Sequence, residues 1–142
     1  MEKHYAEKHA GNAEIVMDEK LKAHLMEKAG EKTIKCTEAL LTAAEMGKTP
    51  QDVGVHLDLL EIRILECQLG LFGFSPVKRI VKRAGSIDPA IRQLIEGEMK
   101  NGCISCEFLL KIAEQNNILP VDVAGMCEAL EVQIKPCQLG AF

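Results

Sequence analysis

The feature that most constrains this chain is that it repeats itself. Displaced by 70 residues, positions 34–72 align with 104–142 without a gap, and 15 of the 39 pairs are identical. The identities include Ile34/Ile104, Cys36/Cys106, Leu40/Leu110, Ala43/Ala113, Pro50/Pro120, Asp52/Asp122, Val53/Val123, Leu60/Leu130, Glu61/Glu131 and Ile64/Ile134. They close on an unbroken block, Cys67-Gln68-Leu69-Gly70 against Cys137-Gln138-Leu139-Gly140, followed by Phe72/Phe142. Asp18/Asp88, Leu21/Ile91 and Leu25/Ile95 carry the register upstream, so each unit spans about 55 residues, 18–72 and 88–142. Units of that length are too long for the common solenoid repeats, and two copies are too few for an array. A duplicated small domain is expected, preceded by an extension over 1–17 and joined by a segment over 73–87.

Within each unit the punctuation predicts three helices and one strand. Asp18 can cap a helix carrying Leu21, Leu25 and Ala29, which Gly30 stops. A second helix over about 37–46 turns Leu40, Ala43 and Ala44 inward and ends at Gly47. Thr49-Pro50-Gln51-Asp52 has the start signals of a third, with Val53, Leu57 and Leu60 as its inward stripe. Ile62-Arg63-Ile64 alternates like a half-buried strand. In the second unit Asp88-Pro89 opens the first helix, Asn101-Gly102 closes it, Asn116-Asn117 makes the next turn, Pro120 opens the third helix and Val132-Gln133-Ile134 is the strand. Pro136 has no N–H for a ladder, so that strand ends early or lies on an edge. The fold class is mostly α with a small β component. A lone strand leaves backbone groups unpaired, so residues 61–66 and 131–136 are expected to pair across the repeat about a pseudo-twofold axis, or between two chains of a homodimer.

Two short helices around a tight turn, with Ala43, Gly47 and Val53 in one unit and Ala113, Asn117 and Val123 in the other, resemble a helix-turn-helix. With the following strand each unit resembles a truncated winged helix, and its Cys-Gln-Leu-Gly ending resembles an uncharacterised repeat family seen in bacterial proteins. The resemblance implies a fold rather than a role.

Charge decides what such helices can meet. The chain carries 17 Lys and Arg against 21 Asp and Glu, a net charge of −4, which disfavours holding nucleic acid by bulk electrostatics. The third helices contain Asp52, His56 and Asp58, or Asp122 and Glu128, and no Lys or Arg, so they would bring carboxylates to a DNA groove. The positive excess lies in 73–87, which carries Lys78, Arg79, Lys82 and Arg83 and not a single acid. Ser75-Pro76 and the spacing of Val77, Ile80, Val81 and Ala84 predict a short basic amphipathic helix, either a docked connector whose solvated face is basic or a surface for DNA phosphates or an acidic partner.

Six cysteines without a signal peptide or an apolar run of about 18 residues point to a reducing cytoplasm and thiols rather than disulfides. Cys36, Cys67, Cys106 and Cys137 recur in both units, and Cys103-Ile104-Ser105-Cys106 has knuckle spacing, so these five are the candidate ligands for zinc or an iron-sulfur cluster. Buried structural thiols are the competing reading, and Cys127, opposite Leu57 in the repeat, reads as a small core residue. His4, His9, His24 and His56 show no metalloprotease pattern, and there is no phosphate-binding glycine loop or nucleophile elbow. The expectation is a non-enzymatic binding or regulatory protein without a cofactor, contacting a protein partner. A DNA-binding regulator and a thiol-based metal or redox module are the alternatives.

Overall fold

The computed structural model describes residues 17–141, so most of the 1–17 extension and the aromatic anchor expected at Phe142 lie outside the described residues. The chain is mostly helical and forms two compact units, each built on the order helix, strand, helix, helix, strand.

The first unit contains α1 (Glu19–Lys28), β1 (Thr33–Lys35), α2 (Cys36–Met46), α3 (Pro50–Leu59) and β2 (Arg63–Leu65). Its boundaries follow the local chemistry. The Asp18 carboxylate accepts the backbone N–H groups of Lys20 and Leu21, both at 3.0 Å, covering two donors that the first turn of α1 leaves open. Gly47 ends α2 in the left-handed region at φ 65°. Thr49 Oγ1 accepts from the Asp52 N–H at 3.1 Å, and Pro50 occupies the first turn of α3, where its missing N–H costs nothing. The three helices pack on one another and bury Leu21, Leu25, Ala39, Ala43, Val53 and Leu57.

The second unit repeats the order with α4 (Pro89–Glu98), β3 (Cys103–Ile104), α5 (Cys106–Gln115), α6 (Pro120–Leu130) and β4 (Gln133–Ile134). Its core joins Ile91, Ile95, Ile104, Leu109, Ile112, Val123 and Cys127 with two residues of the first repeat's closing block, Cys67 and Leu69.

Two expectations are corrected. The strands do not pair across the repeat. β1 pairs in parallel with β2, with Ile34 opposite Ile64, and β3 pairs in parallel with β4, with Ile104 opposite Ile134. Each expected strand therefore finds its partner inside its own unit, in the short strand just before the second helix. The intervening helix pair makes the crossover a parallel ladder needs. These partner strands are two or three residues long, too short to show an alternating pattern.

The unit boundaries are corrected too. Residues 67–138 form the second unit, and 139–141 belong with the first. The first Cys-Gln-Leu-Gly block thus lies wholly in the second unit, while the second block is divided, with Cys137 and Gln138 in the second unit and Leu139 and Gly140 in the first. Leu69, from repeat one, is fully buried in the second unit's core, while Leu139, from repeat two, is 2% exposed and belongs to the first unit. Leu69→Ala is therefore expected to destabilise residues 67–138, and Leu139→Ala residues 17–66, each by about 2–5 kcal/mol. Hydrogen exchange resolved by segment checks which unit opens in each variant.

Asp18 also anchors a polar latch found only in the first unit. Its carboxylate meets Lys48 Nζ at 2.7 Å, and its N–H donates to His56 Nε2 at 2.9 Å. A backbone N–H can only donate, so Nε2 must accept. The ring proton is then on Nδ1, which donates to the Asp52 carbonyl at 2.7 Å. The repeat equivalents of Lys48 and His56 are Ile118 and Met126, which pack against the second unit's core. The Lys48 hydrogen bond, helped by the Leu21 N–H, lowers the Asp18 carboxyl from 3.8 to about 2. A depressed carboxylate contributes stability that is present above 3.8 and lost as the pH falls through about 2. The stability advantage of the native chain over Asp18→Asn should shrink across that window, which urea titrations at successive pH values would read.

Candidate binding surfaces

The helix-turn-helix reading requires the third helix of each unit to present an open face. Among the residues of α3 only Gln51 and Asp52 are exposed, and in α6 only Asp122 and Glu128. The remainder of each helix is buried or half-buried. Glycines show what covers them. A methyl group added at Gly54 of α3 would overlap the carbonyl oxygen of Leu139, and one added at Gly125 of α6 would overlap that of Lys82. Each third helix thus has backbone seated directly on it, the turn at Leu139 in the first unit and residues 82–84 in the second.

The segment 73–87 is this second strap. No helix forms in it, which corrects the amphipathic helix expected from its spacing. The stretch between Pro76 and Gly85 is too short to sustain a helix by itself, and its backbone groups are engaged elsewhere. The N–H groups of Ile80 and Val81 donate to the Gly70 carbonyl at 2.9 and 3.3 Å, and that of Ala84 to the Gly125 carbonyl at 3.0 Å. Val81 packs on the core, whereas Val77 and Ile80 are exposed rather than inward.

Lys78, Arg79, Lys82 and Arg83 are all exposed, as their charge requires, but they are not equivalent. Arg79 pairs with Glu128 at 2.8 Å, and Arg83 donates to the Ala129 carbonyl at 3.4 Å. Both guanidinium groups are thereby drawn to the last turn of α6, where a positive charge meets the negative end of the helix dipole. Lys78 and Lys82 form no ion pair among the described residues.

The cysteines are distributed differently from the expected cluster. Cys36 lies in the first unit, and Cys67, Cys103, Cys106, Cys127 and Cys137 in the second. None is in a disulfide. Among the described residues no group of three or more His, Cys, Asp or Glu side chains is arranged to hold a metal ion. The Cys103/Cys106 pair is divided: Cys106 is buried in the core at the start of α5, while Cys103 is partly exposed and its Sγ lies 3.6 Å from the Asn101 carbonyl. Burial pushes the Cys67 thiol up, against backbone donors at Leu71 and Leu69, with Cys137 adding to the rise. Burial, then Glu128, pushes Cys127 up to about 12. Such thiols are packing groups rather than nucleophiles.

The second unit also carries an open groove of about 480 Å³. Leu110, Ala113, Ile118 and Pro120 supply its apolar surface, and Gln68 and Gln138, the same position of the two closing blocks, stand on its rim. Sequence reasoning missed this groove, the latch at Asp18 and the two glycine seats. The latch did leave a trace, because Lys48 and His56 are replaced together by the apolar Ile118 and Met126 in the other repeat.

No helix among the described residues is long and apolar enough to cross a membrane. No protein-family model, curated protein or solved structure matches the chain.

Cys103 is the only cysteine that is not buried. Brief alkylation of the native protein should therefore modify Cys103 first, with the other five reacting only after unfolding, and peptide mass mapping checks the order.

Proposed function

We propose that this chain is a non-enzymatic binding or regulatory protein of the cytoplasm, built from two helix-turn-helix-like units and directed at a protein partner. The observation that carries this reading is the composition of the exposed third-helix positions: Gln51, Asp52, Asp122 and Glu128, two amide or carboxylate groups per helix and no cation. Base recognition in a major groove needs a helix that penetrates between phosphate rows, and carboxylates there are repelled. Backbone seated against both helices at Gly54 and Gly125 supports the same reading, because it narrows the face that each helix could present to a groove. The groove of α5 and α6 supplies an apolar surface with a mixed polar rim, a composition suited to a side chain from a protein. Six thiols outside disulfides accord with a reducing compartment.

The second reading, a DNA-binding regulator, is favoured by the outward Lys78 and Lys82 alone. A salt-titrated retention assay with pooled genomic fragments separates the two. We expect no retention at about 0.15 M salt. Binding whose log–log salt slope is about −3 to −4, and which is abolished when Lys78, Arg79, Lys82 and Arg83 are all changed to Ala, would establish the DNA reading and remove the other.

A further inference from the structure

The hydrogen bond that ties the start of α1 to α3 also fixes the protonation state of the ring that accepts it. His56 is 6% exposed, and backbone groups take both of its ring nitrogens: Nε2 accepts from the Asp18 N–H at 2.9 Å, and Nδ1 donates to the Asp52 carbonyl at 2.7 Å. A neutral imidazole has one donor and one acceptor nitrogen, and this site uses each once. An imidazolium has two donors. A proton taken from water onto the Nε2 lone pair would set N–H against N–H and leave the Asp18 backbone donor without its acceptor.

The charges around the ring do not relieve this conflict. The Asp18 carboxylate attracts an imidazolium, but it is already shared by Lys48 Nζ at 2.7 Å and by the N–H groups of Lys20 and Leu21, and the ammonium repels the ring. On α3 itself, Asp52 turns its carbonyl to the ring while its side chain is exposed, and Asp58 is half-buried. On α1 and α2, which pack against α3, the half-buried charged groups are Lys22, His24 and Glu38. The other charged side chains of those two helices are exposed, and Cys36 is a buried thiol. His24 lies 3.8 Å from Glu45, and Leu139–Ala141 brings no ionisable side chain.

We propose that the Asp18–His56 contact is a proton-sensitive latch, which holds the start of α1 on α3 while the imidazole is neutral and lets it go when Nε2 binds a proton. Once open, the ring is an ordinary histidine, which takes up a proton at about pH 6.5. Opening is thus coupled to the uptake of one proton and becomes more favourable as the pH falls. The Lys48 half of the anchor is insensitive over that range, because the Asp18 carboxyl stays ionised down to about 2. Repeat two carries the thioether of Met126 in place of the ring, so acidification acts on one unit and not on its copy.

Amide exchange measured by NMR on the full chain, corrected for the intrinsic pH dependence of exchange, tests the latch. Protection of the Asp18 amide should fall about tenfold between about pH 7.5 and about pH 5.5, while the amides of α4 keep theirs. His56→Gln offers a side-chain oxygen to the same N–H and does not titrate, so its Asp18 protection should stay level. If that variant has lost its helical circular dichroism, the nitrogen chemical shifts of the native ring replace it. Nε2 should then read as the unprotonated nitrogen while the Asp18 amide is protected, and gain its proton in step with the loss of protection. Asp18 protection in the native chain that is unchanged at about pH 5.5 overturns the proposal. So does an equal fall in His56→Gln, or a doubly protonated ring beside a protected Asp18 amide.

Discussion

Burial of one leucine per unit, supplied by the other repeat, is the constraint on which this structure depends. A repeat of about 55 residues has little apolar surface with which to close a core. Removing a leucine side chain from water contributes about 1.5–3 kcal/mol, a large fraction of the net stability of so small a unit. Leu69 and Leu139 are both almost completely buried, and neither sits in the unit formed by the helices that precede it. The leucine of each Cys-Gln-Leu-Gly block is therefore buried in the unit that the other repeat's helices form.

Around this shared device the units solve the same packing problem with different chemistry. In the first, the start of α1 is tied to the α2–α3 turn by Lys48 and to α3 by His56, through a charge-assisted contact and two backbone hydrogen bonds. In the second, Ile118 and Met126 occupy those positions, and Asp88 keeps only its capping role, accepting from Ala90 and Ile91. The two contacts use different groups of Asp18, its carboxylate for Lys48 and its N–H for His56, and both ring nitrogens of the buried imidazole are thereby satisfied. The seats on the third helices differ similarly: Gly54 receives 139–141, whereas Gly125, one position later in the repeat register, receives the 82–84 strap.

Helices were legible because their ends are written in single residues: Asp18, Gly47, Thr49-Pro50, Asp88 and Pro120 act within one turn. β1 and β3 were not, because two or three residues carry no period, and their stability comes from ladders closed some 30 positions away. The 73–87 segment misled for a related reason. Its apolar spacing fits a helix, but spacing does not register that Gly70 and Gly125 offer carbonyls to an extended chain. That Leu69 and Leu139 each fold into the unit of the other repeat lay beyond sequence reasoning altogether, since a repeat unit and the unit into which it folds have the same pattern. Of the candidate residues, the four basic ones were legible as exposed by their charge alone, while the division between engaged arginines and outward lysines depends on where α6 ends.

That division bears on the proposal of a protein rather than a DNA partner. In a reading helix the third-helix face must be open, polar and flanked by cations that grip phosphate. Here the face is occupied by backbone, and Arg79 and Arg83 serve the last turn of α6 instead. A guanidinium already paired at 2.8 Å with Glu128 would have to give up that contact to reach a phosphate. Covering the helix and redirecting its cations are one event, because the same strap does both. Under the proposed reading, the surface offered to a partner is the groove lined by α5 and the start of α6, to which Gln68 and Gln138 both contribute.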